Sequence, residues 1–541
     1  MSPSSQSSFN FADLLGLVAA TVPDRTAVVC GDSRLSFAQL SNRVEKLAGY
    51  LARAGLTPGE TLAIHCRNRP EYLIAFFAAC RLGVLPFNVN YRYVEEELEY
   101  LYGNARPAAA LVEGEWLARV SALKNRPRLL VVTGDRANGG EGAASGVVEM
   151  EAALNAMSTA EAPPSARESR GEDALIIYTG GTTGMPKGVV WRQVDLLMAS
   201  LGGGGFFSRH GAINQPIELI DRVRESPHLV MFPVAPLMHG AALWAALASL
   251  FAGHTLVLQV TRSFDPADVF SLCEQEGVNM LVIVGDGMGR PLADVLHAQP
   301  GRWALSALSY IGSGGAVFSG GVQESLRSAL PSVVTASSLG STESGTLGPG
   351  ASRPSGEGLM CFAPRKDIHV VVDGSRMARV GEVGILARSG PLPVGYFGDP
   401  AATARTFIEL DGMRLSLTGD SARLESDGSV TVLGRGSTCI NTGGEKVFPE
   451  EVEQALKRHP GVVDALVIGL PDERWGERVV AVVSARADMS LDAEVLKQHC
   501  RQLVAGYKVP RVVAFVAEVP RTNTGKPDYS TAKKLATAQL S

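Results

Sequence analysis

Residues 176–191 read Ile-Ile-Tyr-Thr-Gly-Gly-Thr-Thr-Gly-Met-Pro-Lys-Gly-Val-Val-Trp. A short apolar run predicts a buried strand, and a turn rich in glycine and threonine follows it and ends at Lys187. Glycines let successive backbone N–H groups point at one oxyanion, threonine hydroxyls add donors, and the lysine adds a mobile positive charge. The stretch predicts a phosphate-binding loop, and the alternative is an ordinary surface turn. It is not a Walker A loop, because that motif needs glycine before the lysine and Ser or Thr after it.

This loop resembles the phosphate-binding loop of the adenylate-forming enzymes, which reads approximately Tyr-Thr-Ser-Gly-Thr-Thr-Gly-x-Pro-Lys-Gly. The difference is Gly180, where serine is usual. In that family the loop holds the β- and γ-phosphates of ATP while a carboxylate attacks the α-phosphate. The resemblance therefore implies ATP contacts from Thr179, Gly180, Gly181, Thr182, Thr183, Gly184 and Lys187.

Composition restricts the partners. The chain has 541 residues, which at about 150 residues per domain predicts several structural units. Its 50 basic and 55 acidic residues give a net charge of −5, so nothing indicates nucleic acid and small-molecule partners are expected. Seven scattered cysteines without a C-x-x-C pair, and a first segment that lacks a signal-peptide pattern, predict a cytoplasmic protein with reduced thiols. Homodimer formation and peripheral membrane contact stay open.

Short β-branched runs alternate with helical patterns, which predicts an α/β fold with mainly parallel sheets. The apolar stretch 240–253 is shorter than the ~20 residues that span a bilayer and predicts a buried helix. Two glycine- and serine-rich stretches, 136–146 and 162–171, predict an exposed connection before the phosphate loop. The predicted strands are 26–30, 61–65, 109–112, 129–132, 175–178 and 255–258, and the predicted helices include 37–54 and 70–82.

The pattern changes in the last third of the chain. After residue 381, turns and short strands predict a small antiparallel, barrel-like sheet. After residue 436 a compact α+β pattern begins, with helices at 449–459 and 491–503 and strands at 463–468 and 479–485. We therefore predict a large adenylation domain at residues 1–435, built of α/β subdomains plus this sheet, and a small mobile α+β lid domain at residues 436–541.

Gly340-Ser341-Thr342-Glu343 follows a predicted strand at 333–336. Taken alone, the glutamate is an ordinary solvent-facing side chain. Adenylate-forming enzymes use the glutamate of such a tetrad to hold Mg²⁺ on ATP, so the resemblance implies a catalytic and metal-binding role for Glu343, with Thr183 as a helper. Carboxylate and hydroxyl oxygens suit this ion. Leu339 departs from the family, in which many members stack a tyrosine on the adenine.

Three further segments match the family's nucleotide contacts. Ser313-Gly314-Gly315-Ala316 matches a turn that lines the nucleotide. An aspartate before a hairpin is usually a turn residue. The resemblance nevertheless implies that Asp420 accepts hydrogen bonds from the ribose hydroxyls and that Arg435 contacts ribose or phosphate. A carboxylate suits a diol because it offers only acceptors, and a guanidinium suits phosphate geometry.

The last hundred residues carry the segments that the resemblance connects with motion and CoA. Ser437 and Thr438 stand where many relatives have the Lys-Asp pair of the hinge. Gly443 and Gly444, with Lys446 beside them, occupy the loop that meets the pantetheine of CoA in thioester-forming members.

Pro520-Arg521-Thr522-Asn523-Thr524-Gly525-Lys526 lies near the end of the chain. A lysine in a polar loop is normally solvated and has no special role. The family keeps its adenylation lysine at this place, so the resemblance implies that Lys526 bridges the substrate carboxylate and the α-phosphate. A point charge there offsets repulsion between two anions and stabilises the transition state.

The sequence predicts the residues of the acyl pocket less clearly than those of the rest of the site. Pro236-Leu237-Met238-His239-Gly240 matches a segment beside the carboxylate, where His239 either positions the substrate or simply begins a buried helix. Trp244 and Gly285 would line an apolar cavity, which fits an aliphatic or alicyclic acid better than a charged amino acid.

The resemblance extends from residues 68–72 to Lys526, with its motifs in the family's order, and looks closest to bacterial acyl-CoA synthetases acting on fatty acids and sterol side-chain acids. It implies ATP, Mg²⁺ and CoA as cofactors and co-substrate. Two alternatives stay open: an adenylating enzyme that loads a carrier protein, and a non-catalytic acyl- or nucleotide-binding protein on the same scaffold.

Overall fold

The computed structural model describes most of the chain, and its residues divide into two compact units. Unit 1 comprises Met1–Val282, Trp303–Tyr310 and Pro391–Arg405, and unit 2 comprises Ile283–Arg302, Ile311–Gly390 and Thr406–Ser541. The described residues are 9–135, 146–158, 173–179, 185–205, 211–349, 351–352, 359–435, 438, 440–442, 445–472, 476–487, 489, 491–504, 506–522 and 526–540. The predicted exposed connection, at 136–146 and 162–171, lies outside them except for residue 146.

The helices of the described residues are α1 (Phe11–Thr21), α2 (Phe37–Arg53), α3 (Pro70–Leu82), α4 (Glu95–Ala105), α5 (Leu117–Ser121), α6 (Met150–Asn155), α7 (Gln193–Ser200), α8 (Glu218–Glu225), α9 (Gly240–Phe251), α10 (Pro266–Glu276), α11 (Gly285–Ala298), α12 (Gly320–Ala329), α13 (Pro400–Thr406), α14 (Pro449–Lys457), α15 (Ala493–Arg501) and α16 (Tyr529–Leu540).

The strands are β1 (Thr26–Cys30), β2 (Ser33–Ser36), β3 (Thr61–His65), β4 (Leu85–Asn88), β5 (Ala109–Glu113), β6 (Leu129–Thr133), β7 (Val147–Glu149), β8 (Ala174–Thr179), β9 (Lys187–Arg192), β10 (Val230–Pro233), β11 (Thr255–Leu258), β12 (Met280–Ile283), β13 (Tyr310–Gly314), β14 (Val334–Ser341), β15 (Gly345–Pro349), β16 (Ala351–Ser352), β17 (Met360–Phe362), β18 (Ile368–Val372), β19 (Arg376–Met377), β20 (Val383–Arg388), β21 (Gly395–Tyr396), β22 (Phe407–Leu410), β23 (Met413–Leu424), β24 (Val430–Arg435), β25 (Ile440–Thr442), β26 (Glu445–Val447), β27 (Val462–Asp472), β28 (Gly476–Ala485) and β29 (Val512–Phe515).

Unit 1 is built on two mainly parallel sheets. One has the order β21-β9-β8-β4-β3-β5-β6-β7, parallel from β8 to β7 and antiparallel across the β8–β9 hairpin and β21. The strands of the other lie in the order β12-β10-β11-β1-β2, antiparallel only at β1–β2. Helix α9, which is almost entirely apolar and largely buried, confirms the buried helix predicted at 240–253. No helix among the described residues is both long and apolar enough to cross a bilayer.

Unit 2 contains three groups of strands. Strands β13, β14 and β15 are neighbours, and an antiparallel sheet has the order β16-β17-β24-β23-β20-β18-β19, with β22 beside β23. The described strands of this second sheet follow an open path, so the expectation of a barrel-like sheet is wrong as regards closure. In the third sheet, of order β26-β25-β28-β27, β29 runs parallel to β28. Helices α14 and α15 bury apolar side chains on one of its faces and α16 on the other, which confirms the predicted α+β segment.

The strand predicted at 333–336 is too short. In the structure β14 continues to Ser341, because its second half pairs with β15, with Ser338 opposite Pro349 and Ser341 opposite Gly345. Gly340 and Ser341 therefore lie within the strand, and the turn begins at Thr342. The division into domains at residues 435 and 436 stays a prediction.

Candidate active site

The ends of the phosphate-loop segment are held by a hairpin in unit 1. Strands β8 and β9 are antiparallel, with Thr179 directly opposite Lys187. Residues 180–184, which include five of the predicted ATP contacts, lie outside the described residues. A side chain at Gly188 would place its Cβ 2.8 Å from the Tyr178 ring and 2.8 Å from Ile176, so only glycine fits there. The hairpin therefore holds the two ends of the predicted loop side by side.

Lys187 is exposed at the beginning of β9. Its ammonium nitrogen lies 5.3 Å from the centre of the Tyr396 ring. A cation–π contact at an exposed site contributes only about 0.5–1 kcal/mol, so it orients the side chain without burying the charge. The ammonium group can therefore still bind an anion.

Asn88 ties the phosphate loop to the segment before His239. This buried side chain donates from Nδ2 to the carbonyls of Tyr178 (2.9 Å) and Met238 (2.6 Å), and its Oδ1 accepts from the Tyr178 N–H at 2.8 Å. Asn68 holds the same segment from another strand end, because it donates to the Ala235 carbonyl at 3.1 Å and accepts from the Leu237 N–H at 2.7 Å. Neither Asn88 nor Asn68 has a role predicted from the sequence.

The predicted acyl-pocket residues of unit 1 lie at the start of α9. His239 is half-buried at the N-cap, and its backbone N–H donates to the Pro236 carbonyl at 3.0 Å. Trp244, one turn further along, is 7% exposed. Its indole N–H has no hydrogen-bond partner within the described ranges. This part of α9 therefore presents a buried donor within largely apolar surroundings.

In unit 2 the structure brings a predicted nucleotide contact and a predicted acyl contact together. The backbone N–H of Gly285 donates to the hydroxyl of Ser313 at 2.8 Å. Gly285 has φ +57°, and a Cβ there would lie 2.6 Å from the Val317 carbonyl oxygen, so glycine is required. Asp286 continues the turn, because its N–H donates to the same carbonyl and its Oδ1 accepts from the Ser319 N–H, both at 2.8 Å.

The turn that carries Glu343 is fixed from behind. Glu343 is half-buried, and its carbonyl accepts a 2.7 Å hydrogen bond from the buried Ser416 hydroxyl on β23. Arg388 donates to the carbonyls of Ser344 (2.5 Å) and Thr346 (3.0 Å). Burial lowers the pKa of the Arg388 guanidinium to about 10, so it stays charged at neutral pH. Arg388 was not predicted as a site residue, because in the sequence it looks like an ordinary strand residue.

The predicted ribose contacts are also adjacent. Asp420 on β23 lies directly opposite Arg435 on β24, although only the backbone of Arg435 is described. Asp420 is half-buried, and its N–H donates to the Thr418 hydroxyl at 3.2 Å. Strand β23 therefore carries Asp420 and also the hydroxyl that holds the Glu343 turn.

Lys526 is exposed at the end of a short closed loop in unit 2. The Thr522 N–H donates to the Lys526 carbonyl at 2.8 Å, and the Lys526 N–H donates to the Thr522 hydroxyl at 3.2 Å. Arg521 forms an isolated antiparallel bridge with Pro527. The predicted lysine therefore extends from a loop whose two ends are paired.

The other predicted residues of this unit are only partly described. Ser437, Gly443 and Gly444 lie outside the described residues, Thr438 lies inside them, and Lys446 is described by its backbone on β26 alone. Among the described residues, three or more His, Cys, Asp or Glu side chains nowhere cluster in a way that could hold a metal ion. A Mg²⁺ site here would depend on phosphate oxygens and water as well as Glu343.

Two family models match the chain. The one described as AMP-binding enzyme covers residues 17–396, and the one described as AMP-binding enzyme C-terminal domain covers residues 451–526. The chain belongs to the AMP-binding enzyme family. The resemblance to adenylate-forming enzymes is thereby confirmed.

Curated relatives of this AMP-binding enzyme match nearly its whole length. It is 40% identical to a 3-oxocholest-4-en-26-oate–CoA ligase of Rhodococcus rhodochrous, over 97% of this chain and 95% of the relative. It is 38% identical to a medium/long-chain-fatty-acid–CoA/3-oxocholest-4-en-26-oate–CoA ligase of Mycobacterium marinum, over 98% and 97% of the two chains. Together with the family match, these CoA ligases confirm the expectation of an AMP-forming acid–thiol ligase.

Among solved structures, the anthranilate CoA ligase AuaEII in complex with anthranoyl-AMP superposes with a TM-score of 0.83 at 22% identity, over 99% of this chain and 100% of that one. At this identity the superposition supports the fold alone.

Proposed function

We propose that this AMP-binding enzyme is an ATP-dependent acyl-CoA synthetase, which converts a hydrophobic carboxylic acid, ATP and CoA into acyl-CoA, AMP and pyrophosphate. The observation that carries the proposal is the 40% identity to a CoA ligase over 97% of the chain. Lys187, Glu343, Asp420 and Lys526 agree with it, because each supplies the charge that the reaction needs.

In the first step a carboxylate oxygen of the acid attacks the α-phosphorus of ATP, and the bond to pyrophosphate breaks. Lys526 offsets the repulsion between the two anions and stabilises the charge of the transition state. Lys187 holds the departing pyrophosphate, while Asp420 accepts hydrogen bonds from the ribose hydroxyls. Lys526 is suited to this role because it is an exposed residue on a loop with paired ends.

Glu343 fits a magnesium ligand. The residue is not fully buried, and Arg388 and Ser416 fix the backbone of its turn, so the backbone that carries the oxygen ligand is held in place before ATP arrives. When bound, Mg²⁺ neutralises charge on the phosphates. Thr183, the proposed second ligand, belongs to the phosphate loop.

In the second step the thiol of CoA attacks the carbonyl carbon of the acyl-adenylate, and AMP leaves. Between the two steps the small domain predicted at residues 436–541 swings, and we place the hinge of this movement at Ser437 and Thr438. We place the pantetheine contact at Gly443, Gly444 and Lys446. A hinge needs only residues that absorb a change in φ and ψ, so the absence of the usual Lys-Asp pair does not prevent it.

The acid is apolar in this proposal. The start of α9 offers a wall of buried apolar residues around Trp244, and an apolar wall suits an aliphatic or alicyclic acid. The curated relatives named for a steroid acid and for fatty acids agree with this substrate class. His239 and Gly285 complete the proposed acyl contacts.

The test is product formation with purified protein and a panel of aliphatic, terpenoid, aromatic and steroid carboxylates, with AMP, pyrophosphate and acyl-CoA measured together. We expect equal amounts of the three products with at least one apolar acid. Formation of AMP without acyl-CoA, and with acyl transfer to an added carrier protein, would support the carrier-loading alternative. Absence of pyrophosphate release with every acid would favour a binding protein.

A further inference from the structure

A buried chain of charges in unit 2 connects the turn at Gly285 with the loop of Lys526. At its centre the Lys457 ammonium lies 3.0 Å from Oδ1 of Asp464 and 3.7 Å from Oδ2 of Asp286. The side chains of Lys457 and Asp286 are 3% and 4% exposed, so their charges are removed from water. Neither residue belongs to the predicted site.

One end of this chain of charges is the turn that carries the proposed acyl contact Gly285 beside the proposed ATP contact Ser313. Oδ1 of Asp286 accepts from the Ser319 N–H, whereas Oδ2 has no hydrogen-bond partner among the described residues and faces the Lys457 ammonium at 3.7 Å. The residue before Asp286, Gly285, donates a hydrogen bond from its backbone N–H to the Ser313 hydroxyl. A displacement of Asp286 would therefore move the turn that holds a proposed acyl contact against a proposed ATP contact.

The other end is the loop of the proposed adenylation lysine. Asp464 accepts from Arg521 at 2.8 Å and 2.6 Å through its second oxygen, Oδ2. Arg521 pairs with Pro527 across the base of the loop that carries Lys526. The guanidinium therefore fixes the start of this loop relative to Lys457.

The charges in this cluster balance. Burial lowers the pKa of Lys457, but the nearby carboxylates outweigh it, so the pKa is raised above its ordinary value. Burial raises the pKa of Asp464, but Lys457 and Arg521 outweigh it, so that pKa is lowered. Two carboxylates face one ammonium and one guanidinium, and burial raises the pKa of the nearby Glu453 to about 8, so that group is mostly uncharged at neutral pH. Buried ion pairs contribute little net stability compared with apolar packing, and their best-supported use is to specify one arrangement.

We propose that Lys457 is a positioning residue for adenylate formation: through Asp286 and through Asp464 with Arg521, it holds the loop of Lys526 in register with the turn that holds Gly285 and Ser313. This inference rests on the proposed function, because it concerns the first step of that reaction. It assigns Lys457 no contact with a substrate. A shift of about 1 Å in a reacting group is enough to reduce a rate about a hundredfold, so loss of this connection affects the chemistry.

The test separates the two half-reactions in the full-length protein. Acid-dependent exchange of pyrophosphate with ATP reports adenylate formation, and acyl-CoA formation from chemically prepared acyl-adenylate and CoA reports the second step. We expect Lys457→Met to lower the exchange rate by about tenfold or more and to change the second step by less than about twofold. Lys457→Arg, which keeps the charge, should recover part of the loss.

Two further variants guard against a trivial result. Asp286→Asn keeps an acceptor for the Ser319 N–H but removes the charge that faces Lys457, so it should reproduce the selective loss even if Lys457→Met does not fold. Lys497→Met removes the ion pair between Lys497 and Glu494, which both lie on α15, a different helix from the α14 helix that carries Lys457. It should leave both rates unchanged.

The possible results have distinct meanings. Normal exchange in folded Lys457→Met, or equal losses in the two half-reactions, would overturn the positioning role while leaving the proposed function intact. No acid-dependent exchange in the wild-type protein would overturn both.

Discussion

Replacement of Asn88 by alanine should damage both the fold of unit 1 and the binding of ATP. The side chain makes three hydrogen bonds to buried backbone, two to Tyr178 and one to Met238. Alanine would leave two carbonyls and one N–H without this partner, and each such group costs about 1–3 kcal/mol. Partial access of water to the vacated space lowers the sum, so we expect the free energy of unfolding to fall by about 3–6 kcal/mol.

The matched control is Asn90→Ala, two residues along the chain. The side chain of Asn90 accepts a single hydrogen bond, from the Arg92 N–H at 3.0 Å, and this bond is exposed to solvent. Its loss should cost about 1 kcal/mol or less. Urea unfolding followed by tryptophan fluorescence gives the difference in the free energy of unfolding between the two variants for the first transition. Using only this transition avoids the assumption that a chain of this size unfolds in one step.

The two substitutions should affect ATP binding in the same order as they affect stability. Because Tyr178 directly precedes the phosphate loop, Asn88→Ala should raise the KM for ATP more than Asn90→Ala does. If the two variants are equally stable and bind ATP equally well, the interpretation of Asn88 as the tie between the loop and the segment before His239 is wrong.

Three other outcomes are expected. Glu343→Gln should raise the Mg²⁺ concentration needed for half-maximal activity and lower kcat about a hundredfold, as measured by Mg²⁺ titration of pyrophosphate release. Leu339→Tyr should lower the KM for ATP by about two- to twelvefold, because an aromatic stack on adenine is worth about 0.5–1.5 kcal/mol. Burial raises the pKa of Glu453 from 4.5 to about 8, so between these pH values the folded state binds the proton more tightly and loses stability as pH rises. Glu453→Gln should therefore raise the melting temperature relative to wild type more at pH 8 than at pH 5.

Local patterns were enough to predict several elements of unit 1. Strands 26–30, 61–65 and 255–258 have the predicted bounds, because each is a run of apolar, mostly β-branched or aliphatic residues. Strand β14 was predicted too short because its second half, rich in serine and glycine, is extended by pairing with β15. That pairing depends on a partner strand and not on local preference.

The supports of the site could not be predicted in the same way. Asn88 stands in an apolar strand, and its partner Met238 is 150 residues away in the sequence. Arg388 holds a turn 44 residues away. A polar residue in an apolar run indicates a buried hydrogen bond but does not indicate the partner. The charged and glycine motifs were visible because the adenylate-forming family shares them, whereas Lys457 occupies a position that helical periodicity does not distinguish from a solvated one.

The most direct test of the account is a half-reaction measurement on Lys526→Ala, with Lys533→Ala, an exposed lysine of α16, as the control. We expect the rate of acid-dependent pyrophosphate exchange to fall by about a hundredfold or more in Lys526→Ala. The same variant should still convert supplied acyl-adenylate and CoA into acyl-CoA. Lys533→Ala should behave as wild type in both assays. Undiminished pyrophosphate exchange in Lys526→Ala would contradict the assignment of the adenylation step to this lysine.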